Sequence, residues 1–245
     1  MKGLRSAAAA IVLACMTALL SGCLYPKDQL GQYQKPPKDA ILNVQTVVDQ
    51  FQKDTGLLPI QNSEETTPVY EKFKVDFDKL QRMNYMSSIP DSAFEKGGSY
   101  YYLVINEEKD PTIKLMNLVL YQKTNDLEAA VKAYSDAHGG KLPAGEAMYP
   151  SFTAIDYDAL DLKEPELRSV FSGSLLTAML GSDGKVYLDY GPDIMQQLTK
   201  LDEGKKPGKD ADLRALLVDS SDFVPVKSPI YKLVGDDPQA VLKLH

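Results

Sequence analysis

The chain has 245 residues, with 27 Lys and Arg against 34 Asp and Glu and a formal net charge of −7. That acidic balance argues against a nucleic-acid surface and against electrostatic adhesion to anionic lipid heads. Two cysteines and two histidines also argue against a zinc site of the common Cys and His type.

Met1-Lys2-Gly3-Leu4-Arg5 is a basic start, and an apolar stretch follows over residues 7–20. As a helix that stretch spans about 21 Å at 1.5 Å per residue, short of the roughly 30 Å hydrocarbon core. It reads as a cleaved secretory signal rather than a membrane span. Leu20-Ser21-Gly22-Cys23 closes it, and this phrase resembles the lipobox of bacterial lipoproteins. The resemblance implies a signal peptide over residues 1–22, cleavage between Gly22 and Cys23, and a diacylglyceryl group on the Cys23 sulfur. A lipoprotein of this kind sits on the cell membrane through its lipid anchor, facing outside the cytoplasm, with palmitate-type chains buried. Two acyl chains suffice for stable anchoring, at roughly 0.8 kcal/mol per buried methylene. Cys15 leaves with the signal, so the mature fold has no cysteine pair and relies on an ordinary packed core.

Residues 23–40 hold Pro26, Pro36 and Pro37 among polar residues, a composition for a flexible tether rather than a helix or strand. Ile41, Val44, Val47, Val48 and Phe51 then fall at helical spacing, and Gly56 stops that helix. Leu57-Leu58-Pro59-Ile60 is extended, and a polar loop runs over 61–68. Phe73, Val75 and Phe77 alternate with charged neighbours, which predicts a one-sided strand over 70–78. Gly97-Gly98 is a turn. Strands over 99–106 and 113–121, joined by a turn, make a hairpin.

The order of events then repeats. A second amphipathic helix is expected over 127–138, ended by Gly139-Gly140 and followed by Leu142-Pro143, as Leu58-Pro59 follows Gly56. Val75-Asp76-Phe77-Asp78-Lys79-Leu80 matches Ile155-Asp156-Tyr157-Asp158-Ala159-Leu160. A helical stretch is read over 166–180, a hairpin-type turn at Gly181-Ser182-Asp183-Gly184, and a strand over 185–190 that corresponds to the Tyr100 strand. A basic loop at 204–209, a short helix over 212–218 and closing strands at 223–226 and 230–234 complete the chain, with Pro225 suggesting an edge position. The fold class is therefore α+β, a tandem duplication of a helix-strand-helix-hairpin unit packed as two small similar halves. Its repeats span 41–125 and 126–200, with a C-terminal loop and closing strands over 201–245.

The chemistry is sparse. His138 lies at a helix end, where a donor or cation suits the exposed carbonyls. Asp76 and Asp78, and Asp156 and Asp158, are two residues apart, so on strands each pair presents two carboxylates to one face. Hard oxygen ligands suit calcium or magnesium, and these four are the weak metal or acid–base candidates, with Asp161 beside the second pair. The opposite face carries Val75, Phe77, Ile155 and Tyr157, the pattern of a solvated strand face, so the reading keeps catalytic and metal residues at none and cofactors at none. Gly181-Ser182-Asp183-Gly184-Lys185 lacks phosphate-loop spacing. Tyr100-Tyr101-Tyr102 alternate across a strand and are read as packing residues.

Cys23-Leu24-Tyr25-Pro26 and the phrase from Val44-Gln45 through Val48-Asp49, Phe51, Asp54 and Gly56 to Leu58-Pro59 resemble uncharacterised lipoproteins of Bacillus-type bacteria. The stretch from Tyr134 to Gly140-Lys141-Leu142-Pro143 is similar to the start of a pseudopilin head, but the N-terminal pilin helix is absent, and the likeness is read as shared helix-exit chemistry. The expectation is a lipid-anchored extracytoplasmic binding or assembly module, not an enzyme, whose partners are the membrane through Cys23 and an envelope protein or peptide. The alternatives are a solute-binding component of a transporter and a carboxylate-dependent hydrolase resting on the four aspartates.

Overall fold

The computed structural model describes residues 36, 38–202 and 206–243. The signal segment, Cys15, Gly22, Cys23 and most of the tether lie outside the described residues, as do residues 204 and 205 of the basic loop. Helix α1, Lys38–Thr55, forms where the apolar stripe predicts it, burying Ile41, Val44, Val48 and Phe51. Gln45 to Asp49 and Gln50 to Asp54 are hydrogen-bonded along its exposed face at 2.7 and 2.8 Å, the i,i+4 spacing that supports a helix. Gly56, at φ +71°, ends it, as a residue without Cβ does at low cost. The chain leaves extended, and Ile60 pairs antiparallel with Val75.

The strand expected over 70–78 shrinks to bridges at Lys74 and Val75. Val69–Glu71 is a 3-10 turn. The Asp76 side chain accepts from Lys79 N–H at 2.9 Å and caps helix α2, Phe77–Arg82. The apolar alternation is genuine, since Val75 and Phe77 are both buried, but a local cap outcompetes extension after three residues.

Strands β1, Tyr100–Ile105, and β2, Thr112–Asn117, form the expected hairpin with Tyr100 opposite Asn117 and Ile105 opposite Thr112. The second strand stops at Asn117 rather than Tyr121, because the Asn117 side chain accepts from Leu120 N–H at 3.0 Å. That cap starts helix α3, Leu118–Ala137. The helix predicted over 127–138 is thus the latter part of a longer one, whose first turns carry strand-prone residues held helical by the cap.

Gly139 and Gly140, both at positive φ, release the chain into β3, Ala144–Tyr149, and β4, Phe152–Ile155. Asp156 N–H donates to Pro143 O at 2.9 Å, as Asp76 N–H donates to Pro59 O at 2.8 Å. The helix read over 166–180 is absent. Ser169 Oγ accepts from Phe171 N–H and Ser172 N–H, and Gly173 turns at φ +77°, so local hydroxyl bonding and a left-handed residue break the helical run. β5, Ala178–Gly181, and β6, Val186–Leu188, close a sheet of order β3-β4-β5-β6 around the predicted hairpin turn. β5 pairs antiparallel with β4, and Leu103 of β1 bridges antiparallel to Lys74.

Helix α4, Gly191–Leu198, opens with Pro192 in its first turn, and α5 spans Ala215–Asp219. Residues 222–227 then cross the molecule as a buried strap. Leu115 N–H donates to Asp222 O and Leu115 O accepts from Val224 N–H; further along, Leu188 N–H donates to Lys227 O. The strap thereby touches both β2 and β6, where the sequence reading has a strand over 223–226. β7, Ile230–Val234, and β8, Asp237–Val241, make a final hairpin turned at Gly235.

The β1–β2 hairpin is buried on both faces. Tyr100, Tyr102, Val104, Ile113 and Leu115 join the apolar cluster under α1. Leu103, Ile105 and Met116 join a second cluster with α3, β4, β5 and β6. Two-sided burial explains the continuous apolar run of β1.

Candidate functional site

The first aspartate of each pair serves the backbone. Asp76 caps α2, and the Asp156 side chain accepts from Ala159 N–H at 3.0 Å. Because each phrase turns at its first aspartate, Asp78 and Asp158 do not share a strand face with it, and both are exposed. Among the described residues no three His, Cys, Asp or Glu side chains gather as a metal-holding group. Replacing Asp76, Asp78, Asp156 and Asp158 together by Asn retains an acceptor at both capping positions. Calcium-dependent melting should be the same before and after the change; a large loss of calcium stabilisation would reinstate a metal site.

His138 caps α3 as expected, with Nδ1 2.8 Å from Tyr134 O and its ring stacked on Tyr134 at 3.9 Å. Tyr100 and Tyr102 are buried. Tyr101 is half-buried, with Phe94 against its ring at 4.9 Å and Lys74 Nζ 4.0 Å from its centroid.

A denser cluster, which sequence reading misses, lies where the Val69–Glu71 turn meets α3 and the end of the strap. Burial first and then the Glu71 charge push the Tyr121 hydroxyl above the usual tyrosine range. Lys227 Nζ stands 4.0 Å from Glu128 Oε2 and 5.1 Å from the Tyr121 ring centroid. Glu128 Oε2 also accepts from Val186 N–H at 3.0 Å, fastening α3 to β6. Burial pushes the Glu71 carboxyl above the usual carboxylate range. Lys227, the Tyr121 hydrogen bond and Lys74 oppose that push, and Glu128 adds to it. Phe73 and Lys227 flank the cluster at φ +53° and +52°, a strained region for side-chain-bearing residues. Tertiary hydrogen bonds hold both: Phe73 O accepts from Val104 N–H, and Lys227 O from Leu188 N–H. Asn125 and Glu128 also line an open hollow of about 540 Å³ with Lys132, Asp136 and Lys185. The only signal in the sequence is four common residue types spread over more than 150 positions, with no periodicity to connect them.

A second network centres on Asp189. Its carboxylate accepts from Tyr231 OH at 2.7 Å, Gly191 N–H at 2.8 Å and Tyr149 OH at 3.1 Å. Tyr231 OH in turn accepts from Tyr190 N–H at 2.9 Å. Burial and then the Asp189 charge push the Tyr149 and Tyr231 hydroxyls well above the usual tyrosine range. This network ties β3, α4 and β7 together.

Residues 37–117 match the YphF family N-terminal domain. The match covers about a third of the chain, from the start of α1 to the last residue of β2, and accords with the resemblance to uncharacterised Bacillus-type proteins. No curated protein and no solved structure matches the chain. Among the described residues, no helix is long and apolar enough to cross a membrane.

Proposed function

We propose that the chain is a lipid-anchored, extracytoplasmic binding or assembly module of the cell envelope rather than an enzyme. Cys23 carries the anchor, and an extended segment of a partner polypeptide is the occupant. The supporting observation is β3. It ends its sheet with β4 on one side, and residues 144–147 are exposed on both faces. A free strand edge offers backbone donors and acceptors that an extended polypeptide can match. Ala144, Gly145 and Ala147 present little bulk to an incoming strand. Glu146 and two register shifts discourage two β3 edges from pairing with each other, since like charges meet and the edge is uneven.

The same reading takes the chain as a tandem duplication. Supporting it are the paired Pro59–Asp76 and Pro143–Asp156 backbone bonds, the paired aspartate caps, and the packing of α1 on β2 and of α3 on β6. The family match also stops at the end of the first set of elements.

The test places a photo-crosslinking residue at Ala147 in the full chain within its own membrane, with exposed Asp49 on α1 as the control position. The expected result is one dominant polypeptide adduct from position 147, mapping to a single extended segment, and none from position 49. Equal scatter from both positions, or stabilisation of the protein by a small solute in place of any adduct, would move the reading to the transporter component. In parallel, Cys23→Ala should abolish lipid labelling; normal labelling of that variant would remove the anchor.

A further inference from the structure

We infer that the Gln45 carboxamide guards the outer edge of β2, keeping it from pairing with a second copy of the chain. β2 has β1 on one side. On the other side the backbone groups of Pro111, Ile113 and Leu115 face outward, since alternate residues of a strand present their N–H and C=O to the same edge. The strap takes the Leu115 groups, with Leu115 N–H 2.8 Å from Asp222 O and Val224 N–H 3.0 Å from Leu115 O. It runs parallel to β2, so the residues that would lie beside Ile113 are those before Asp222. These are drawn off toward α5 instead, where Lys114 Nζ donates to Val218 O at 2.7 Å and to Ser221 O. Gln45 reaches from α1 to take their place. Its Oε1 accepts from Ile113 N–H at 2.7 Å, and its Nε2 donates to Pro111 O at 2.9 Å. One primary amide thus supplies the acceptor and the donor that a third strand's backbone would supply. Nε2 gives its other hydrogen to Asp49 Oδ1 at 2.7 Å, which holds the amide in this pose.

Beyond the guard the edge is accessible. An open hollow of about 680 Å³ lies between α1 and the β1–β2 turn, with Gln45, Pro111 and Thr112 in its wall. Its rim carries Lys53 and Lys109 with Asp49 and Asp110, two bases and two acids, all exposed. A chain of net charge −7 repels a second copy over most of its surface. A rim of balanced charge does not. In a two-fold contact the same patch meets itself, so each base can face an acid. An antiparallel pair of β2 edges has that two-fold symmetry, and in each copy it satisfies the groups that the amide now holds. A second copy of this chain is the occupant that the edge fits, and the Gln45 amide is what it must displace.

Photo-crosslinking on the full chain in its own membrane tests this, with the reactive residue at Thr112. The wild type should give little covalent dimer. Gln45→Ala removes the amide; alanine suits a helix, and water in the open hollow can serve the freed Pro111 and Ile113 groups, so α1 is retained. That variant should give several-fold more covalent dimer, with the adduct mapping to residues 109–113 of the second copy. Gln45→Met keeps the reach of the side chain over the hairpin but lacks both hydrogen-bonding groups, and it too should raise the dimer several-fold. Adding Lys109→Asp to Gln45→Ala unbalances the rim and should return the dimer toward the wild-type level. A dimer yield no higher than wild type in the two Gln45 variants overturns the proposal. So does an adduct that maps outside residues 109–113, or one to a different polypeptide in place of the second copy.

Discussion

Replacing Leu115 by alanine should cost about 3 kcal/mol, within the range for a buried leucine that leaves a cavity. For a domain of this size that lowers the melting temperature by roughly 6–12 °C. Leu115 has no exposed surface. Its side chain fills the cluster under α1, while its backbone N–H and carbonyl hold the strap at Asp222 and Val224. Met116, its neighbour, is equally buried but points into the other cluster. Met116→Ala should therefore cost a similar amount from the opposite face. Because one hairpin serves both clusters, calorimetry should show each variant melting in a single transition at a lower temperature. If Leu115→Ala split the transition in two, the hairpin would not be transmitting stability between the clusters.

Asp189→Ala should be about as damaging, at about 3 kcal/mol, for a different reason. Removing the carboxylate leaves the buried Tyr231 hydroxyl and the Gly191 N–H without their acceptor, and each orphaned buried group costs about 1–3 kcal/mol. Tyr149, half-buried at the end of β3, can turn to water and adds less. Tyr231→Phe should cost less than Asp189→Ala, since Asp189 then keeps two donors, although Tyr190 N–H loses its acceptor. Chemical denaturation of the two variants and of their combination is the check. In the double variant the losses should fall short of additive, as expected for partners in one network. Strict additivity would mean that Asp189 and Tyr231 act separately.

Much of the local structure was legible before any coordinates. The stripe from Ile41 to Phe51, the left-handed exit at Gly56, the β1–β2 hairpin, the turn at Gly181–Gly184 and the His138 cap all follow from periodicity or single-residue preference, which act within a few positions. The misreadings occur where a cap overrode a longer pattern. Asp76 turned an alternating strand into a helix start, Asn117 turned strand-prone Leu118 to Tyr121 into the opening of α3, and Ser169 with Gly173 broke an apparent helix over 166–180. In each case a side chain hydrogen-bonded to the nearby backbone, joined at 166–180 by the left-handed Gly173, decided among conformations of nearly equal propensity.

The sequence by itself determined the acidic character of the chain, its α+β class, its first helix and central hairpin, and the turn chemistry that recurs in both parts. Only the tertiary structure decided that the hairpin is buried on both faces, that residues 222–227 strap β2 to β6, and that Tyr121, Glu128 and Lys227 meet. The physical reason is distance along the chain. Periodicity and capping are set by neighbours a few residues apart, whereas the strap joins Leu188 to Lys227 and Leu115 to Asp222, far apart in the chain, and such contacts depend on the burial of the apolar faces of both clusters.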